Sequence, residues 1–254
     1  MKTEILYGFH PVQEALKARR RKIFEIYLAR EKFSHRIEKI LKLCEEHKIT
    51  VKKINPKQLS ALARVSEHQG IAARVSLYPL ENLNDLLQSS HDHNCLLVLM
   101  LDQVVDPRNL GALARTALAV GVQAVIVPKD RSASPSPAAS KVSAGALEHL
   151  RLIRVANLAG AIKQMKQSGI WVVGLDVSAK KSVFENDLTG PLAIVIGAEE
   201  KGLRPLAKSM CDFLVSIPQV GPVESLNASV AGAVVMYEAF RQRSCPPVHL
   251  INEK

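Results

Sequence analysis

No apolar run in this chain approaches the roughly 18 residues needed to cross a bilayer. The longest, Leu96-Leu-Val-Leu-Met-Leu101, has the length of one buried strand. The first residues, Met1-Lys-Thr-Glu, carry no apolar signal-peptide core. Cys44, Cys95, Cys211 and Cys245 are far apart and form no C-x-x-C pair, which argues against a zinc site and a disulfide framework and suits a reducing cytoplasm. No His/Cys/Asp cluster points to a metal. The G-x-G-x-x-G fingerprint of dinucleotide-binding folds is absent too. A soluble cytoplasmic protein without a membrane partner is expected.

Acidic residues are scarce in one region only. Residues 1–76 hold 17 Lys/Arg against 8 Asp/Glu, whereas residues 77–254 hold 17 against 16, so nearly all of the net charge of +10 sits in the first third. A local basic excess attracts phosphates over roughly 8–10 Å at physiological salt. A solvated basic surface would read the same way, so charge alone leaves nucleic-acid binding open.

Periodicity divides the chain of 254 residues into two α/β units. In residues 1–76, Ile23–Ala29 alternates like a half-buried strand, and Ser34 to His47 has helical spacing with Ser34 as the N-cap. Thr50–Ile54 and Ile71–Val75 read as strands, and Pro56–Ala63 as a helix opened by proline. Residues 77–94, with Pro79, Asn82, Asn84 and a polar run ending at Asn94, read as a linker around one short amphipathic helix. Residues 95–254 repeat strand then helix. Strands are expected at Cys95–Leu101, Ala124–Val127, Leu152–Val155, Trp171–Leu175, Ala193–Ile196 and Phe213–Ser216. Helices are expected at Leu110–Ala119, Leu158–Gln167, Pro205–Lys208 and Ser225–Arg241, and residues 130–137 read as an exposed loop. Apolar strands alternating with helices imply a mostly parallel sheet covered on both faces. Such sheets bind ligands beyond their carboxyl ends.

Three stretches fall at those ends. Asp106-Pro-Arg-Asn-Leu-Gly-Ala-Leu-Ala-Arg115 follows the first strand, Gly197-Ala-Glu-Glu-Lys-Gly-Leu203 the fifth, and Ile217 to Asn227 the sixth. Asn109 can be a helix N-cap, and Ser225 another. Asn109 and Arg115 lie six residues apart, roughly 600° around a helix, so they need not share a face. An arginine facing the sheet on this apolar helix demands an anion, either a phosphate or a structural carboxylate. Glu199 can cap the next helix or contact a ligand. Gly197 and Gly202 permit close backbone approach or merely a strand-to-helix turn. Each stretch alone is a weak signal.

Together, in this order, they resemble the three sequence blocks of the SpoU/TrmH branch of the SPOUT RNA 2′-O-methyltransferases. Tyr7-Gly-Phe-His-Pro-Val-Gln-Glu-Ala-Leu16 and His68-Gln-Gly-Ile-Ala-Ala-Arg-Val75 resemble the segments that bracket the family's L30e/L7Ae-like RNA-binding domain. The closest likeness is to the branch's 23S ribosomal RNA guanosine-2′-O-methyltransferases. That resemblance implies a C-terminal SPOUT domain closed by a trefoil knot, S-adenosylmethionine as cofactor, large-subunit ribosomal RNA as partner, and a homodimer with active sites near its interface. It implies a catalytic set of Arg115, Asn109, Glu199, Ser225 and Asn227, with the backbone at Gly197, Ile217 and Leu226 holding the cofactor. Arginine stays protonated near neutrality, so Arg115 is expected to stabilise an oxyanion rather than to act as the base. Competing readings are a transfer-RNA enzyme of the same family, a non-catalytic RNA-binding protein on this scaffold, and a small-molecule nucleotide enzyme. The missing phosphate-loop and dinucleotide fingerprints weigh against the last.

Overall fold

A computed structural model describes residues 2–29, 35–89, 95–222 and 225–244. The expected cap Ser34, residues 90–94 of the expected linker, and Cys245 lie outside them. The first unit is a four-stranded sheet in the order β1 (Thr3–Tyr7), β4 (Ile71–Ser76), β2 (Ile23–Leu28), β3 (Thr50–Lys53). Only β2 and β3 run parallel. Helices α1 (Phe9–Ala18) and α2 (His35–Glu46) close a core of Leu6, Val12, Leu16, Ile26, Ile40 and Val75. Helix α3 (Pro56–Ala63) starts with proline, and Asn55 and Gln58 form a reciprocal capping box around its first turn.

The second unit is a seven-stranded parallel sheet. Its order is β11 (Phe213–Val215), β9 (Trp171–Leu175), β10 (Leu192–Ile196), β6 (Leu97–Leu101), β7 (Ala124–Pro128), β8 (Arg151–Val155), β5 (Leu80–Glu81). Strands β6, β7 and β10 are buried along their whole length. Two layers cover them. One face packs on α5 (Pro107–Ala119) and α9 (Ala228–Arg243), and the other on α4 (Leu83–Ser89), α7 (Leu158–Gln167) and α8 (Pro205–Met210). Adjacent β6 and β10 therefore send their following helices, α5 and α8, to opposite faces. That divergence is a topological switch point, and it opens a crevice above the two strand ends.

The short amphipathic helix expected within residues 77–94 is α4, and the segment around it packs on the second unit. Tyr78 is buried, β5 adds the sheet's edge strand, and Leu83 and Leu86 enter the second core. Pro79 and the asparagines are turn signals that hide the edge strand and the buried Tyr78. Residues 130–137 are also not a plain exposed loop. Ala133 is buried, and Ser136 caps an additional helix, α6 (Pro137–Val142), which a 3₁₀ turn at Ala146–His149 follows.

The two units share a polar seam. Arg21 is fully buried and pairs with Glu148 through Nε–Oε2 at 2.7 Å and with Glu4, while its guanidinium lies 4.8 Å from the Tyr78 ring centre. Ser140 donates to Glu148 at 2.7 Å. Arg20 and Arg151 share Glu81, and His149 meets Glu14. Gly145, at φ 84°, lets α1 approach. A Cβ there would sit 2.7 Å from the Glu14 side chain and 2.8 Å from the His10 carbonyl.

Candidate active site at the switch point

Three segments meet in the crevice. Asp102, fully buried just past β6, ties the first to the second. Its amide donates to the Ile196 carbonyl at 2.7 Å. Its carboxylate accepts the Arg204 amide at 2.9 Å and Arg204 Nε at 2.7 Å. A buried carboxylate bonded on both oxygens is a satisfied one. Beyond β10, Ala198 and Gly202 exchange both backbone hydrogen bonds and fold residues 198–202 into a tight loop. Gly202 holds φ 60°, and a Cβ on Gly197 would sit 2.2 Å from the Gly202 carbonyl carbon. Only glycine fits at Gly197, and the loop it permits presents Glu199.

Helix α5 begins with Pro107, and Asp106 is its N-cap, accepting from the Arg108 amide at 2.8 Å. The Arg108 guanidinium also bonds Asp106 and holds its carboxyl below the usual range. The cap is thus Asp106 and not Asn109. Asn109, in the first helical turn and 8% exposed, points its amide to Glu199 Oε1 at 2.9 Å. Asn227 Nδ2 donates to Asn109 Oδ1 at 3.0 Å and to Glu199 Oε1. Asn227 Oδ1 meanwhile accepts the Ser229 amide at 2.9 Å, so Asn227 and not Ser225 caps α9. Side chains from three distant segments form one closed triangle. Glu199 caps no helix, because both amides converge on its Oε1. No hydrogen bond among the described residues engages its Oε2.

The triangle divides two cavities. One of about 370 Å³ has apolar walls at Leu175, Ile196, Ile217, Leu226 and Ala231, with Gly197, Glu199 and Ser225 at its polar side. Its size lies in the small-molecule range of roughly 300–1,000 Å³, and strand-end backbone groups supply the few polar contacts such sites carry. Gly197, Ile217 and Leu226 thus share one pocket. The residues fit a cofactor with an apolar body and a few polar handles. Asp176 also lines it, a residue that motif reading missed because it lies in none of the three stretches. Burial works to raise the Asp176 carboxyl, but bonds from Ser178 and Lys208 hold it below its ordinary range. The second cavity, about 560 Å³, shares the wall Ala198–Lys201 and is bordered by Gln103, Asp106, Asn109 and Arg131.

Arg115 does not join this cluster. It lies about 9 Å farther along α5 and about 240° around it from Asn109. It is exposed rather than turned to the sheet, which removes the need for a buried counter-ion. It borders a separate groove with His10, Glu14, Lys141 and His149.

Comparison with known proteins identifies relatives of both units. Residues 96–237 match the model of the SpoU rRNA Methylase family, and residues 5–80 match an RNA 2′-O ribose methyltransferase substrate-binding domain. The 23S rRNA (guanosine-2′-O-)-methyltransferase RlmB of Vibrio parahaemolyticus is 42% identical over 243 residues, 96% of this chain and 98% of its own. The enzyme of that name from Acinetobacter baylyi is 43% identical over 244 residues, 95% of this chain and 98% of its own. Among solved structures, the SpoU methyltransferase AviRb from Streptomyces viridochromogenes in complex with AdoMet superposes with a TM-score of 0.77. It is 26% identical, over 94% of this chain and 89% of that one.

Proposed function

The chain belongs to the SpoU rRNA methylase family, and from that premise we propose that it transfers the methyl group of S-adenosylmethionine to the ribose 2′-hydroxyl of a guanosine in 23S ribosomal RNA. The observation that carries the proposal is the Asn109–Glu199–Asn227 triangle standing on the wall between two cavities. One cavity suits the donor and the other a nucleotide. Bound in the first, the donor supplies a methyl group on an electron-poor sulfonium. The backbone at Gly197, Ile217 and Leu226 holds it, and the apolar walls exclude water from the sulfur's surroundings.

The remaining work falls to side chains. The ribose hydroxyl is a poor nucleophile near neutral pH, so it must be aligned and must pass its proton to the adjoining phosphate, a water or a side chain. Asn109 and Asn227 fix Glu199 by its Oε1, which leaves Oε2 to receive a hydrogen bond from the substrate. Ser225 borders the donor pocket and helps to orient the hydroxyl. Arg115 stabilises charge on the adjoining phosphate and the developing alkoxide.

Arg115 reaches a reaction centre when two copies pair. The outer surfaces of α5 and α9 expose Leu118, beside Arg115, and Val230 and Tyr237, side chains that a second copy would cover. A homodimer with a composite site is therefore part of the proposal, as is a cytoplasmic site of action. The basic first unit, locked to the second by the Arg21–Glu148 seam, presents ribosomal RNA at a fixed angle.

The experiment is transfer of labelled methyl to unmethylated 23S rRNA, with calorimetry of donor binding and sedimentation of the free protein. Ribose methylation at one guanosine, by a dimer that binds the donor, is the expected result. Absence of donor binding, or methylation of transfer RNA alone, would overturn it.

A further inference from the structure

We propose that Gln103 and Arg131 read the substrate nucleotide, Arg131 through its phosphate and Gln103 through the edge of its base. The inference rests on the methyl-transfer reading above and adds residues that lie outside the three sequence stretches. Both line the cavity beyond Glu199. Gln103 sits in the loop after β6 and Arg131 in the loop after β7. A backbone bond from Ala133 to the Val104 carbonyl, at 2.8 Å, fastens one loop to the other. The two side chains are thus carried on one tied pair of loops that faces the triangle.

Neither side chain has a hydrogen bond or ion pair among the described residues, although most charged groups around the crevice do. Asp106 has Arg108, Asp102 has Arg204, and Glu199 has two amides. An arginine and a primary amide left open on one cavity wall are a hydrogen-bond donor for phosphate and a base reader in search of a ligand. The backbone adds to this. Gln103 holds φ 61° and Arg131 φ 54°, a left-handed conformation that side-chain-bearing residues rarely adopt. Such positions persist where surrounding structure enforces them, and they cluster at ligand sites. Lys201 adds a second positive charge to this cavity, whose carboxylates are Glu199, held by two amides, Asp106, paired with Arg108, and Glu200.

The chemistry matches a guanosine. A glutamine amide sets N–H donors beside a carbonyl acceptor, and that pair complements the adjacent carbonyl and N–H groups of a guanine edge. A guanidinium makes paired hydrogen bonds to phosphate oxygens.

Glycine is the variant of choice, because it deletes the side chain and accepts the positive φ without strain. Arg131→Gly and Gln103→Gly should therefore keep the parental melting temperature and the parental donor affinity by calorimetry. Arg131→Gly should raise KM for 23S rRNA about tenfold or more and lower the salt slope of RNA binding by about one. Arg131→Lys should recover part of that loss. Gln103→Gly should cut the preference for the mapped guanosine over adenosine, in a transcript substituted at that position, by about tenfold. Parental KM and salt slope in Arg131→Gly, with donor binding intact, would overturn the phosphate role. An unchanged base preference in Gln103→Gly would overturn the reading role. A parent protein that transfers no methyl at all would instead sink the methyl-transfer reading, so the two failures are told apart.

Discussion

The two ends of α5 differ sharply although six residues separate them. Asn109, near the start, is buried and bonded to Glu199 and Asn227. Arg115, farther along, is exposed and engages no hydrogen bond or ion pair among the described residues. One end is complete within a single chain. The other carries a full charge that pairs with no acidic group among the described residues. A polar group paired in advance lowers the reorganisation needed during reaction. A charge left open beside exposed apolar side chains awaits an anion or a neighbouring molecule. On the proposed reading, the folded chain supplies half of the site ready-made, and RNA and a second copy would complete the other half.

The sharpest way to break that contrast is Arg115→Ala. Turnover should fall about 10³-fold, near the upper end for losing one group that stabilises developing charge. Donor affinity and melting temperature should hold, because Arg115 supports neither the donor pocket nor the fold. Single-turnover methyl transfer and calorimetry measure both. Mixing Arg115→Ala protomers with Asn109→Ala protomers sharpens the result. Recovered turnover means that one chain's arginine serves the other chain's triangle, and no recovery means that it serves its own. Full turnover in Arg115→Ala alone would remove the residue from catalysis.

Much of this contrast was legible before any coordinates. Apolar strand runs such as Leu97–Leu101 and Leu192–Ile196 mark the buried parallel sheet, and the three polar stretches fall at its carboxyl ends because strand–helix alternation places them there. Asn109, Glu199 and Asn227 were named from the sequence, but their partners were not. Capping was the local expectation for Asn109 and Glu199, and the structure gives both side chains long-range partners instead. A cap is decided within three residues, whereas the triangle spans residues 109 to 227. Within residues 77–89 the short amphipathic helix was legible and is α4, but the edge strand β5 was not, for a related reason. Turn-forming Pro79 and Asn82 are local signals, and the pairing of β5 with β8 bridges some seventy positions. Gln103 and Arg131 gave no signal, since a left-handed backbone at a residue other than glycine leaves no mark in composition.

The seam between the units puts the paired half of the comparison under strain from another side. Removing residues 1–76 would uncover the seam and take Arg21 from Glu148, so deletion of the first unit tests folding as well as RNA binding. Arg21→Ala isolates the first of these. It leaves Glu148 buried beside Ser140 without its cation, a loss of about 3 kcal/mol. Burial already pushes the Glu148 carboxyl up against the opposing pull of Arg21 and Ser140. Without Arg21 it rises further. A carboxyl whose folded pKa exceeds its unfolded value gives stability at low pH that disappears as pH climbs through the folded pKa. The deficit of Arg21→Ala against the parent should therefore widen from acid toward neutral pH in denaturant titrations. A deficit independent of pH would mean that Glu148 is not the group left exposed to the change.

The smallest expected effect separates two duties of one side chain. Asn227 caps α9 through Oδ1 and braces Asn109 and Glu199 through Nδ2. Asn227→Ala loses both. It should cost about 1 kcal/mol of stability, the usual price of a helix N-cap, along with turnover. Asn227→Ser keeps an oxygen that can accept from the first turn but has no amide to reach across the crevice. Serine caps about as well as asparagine, so its stability should stay within a few tenths of a kcal/mol of the parent. Glu199 would then be held by Asn109 alone and would sample more orientations over the shared wall. Turnover in Asn227→Ser should drop while the melting temperature holds. If both variants lose stability and turnover in the same proportion, the triangle is only a fold element and the preformed half of the site has to be sought elsewhere in the crevice. If serine loses turnover alone, the bracing of Glu199 is what the crevice contributes before any ligand arrives.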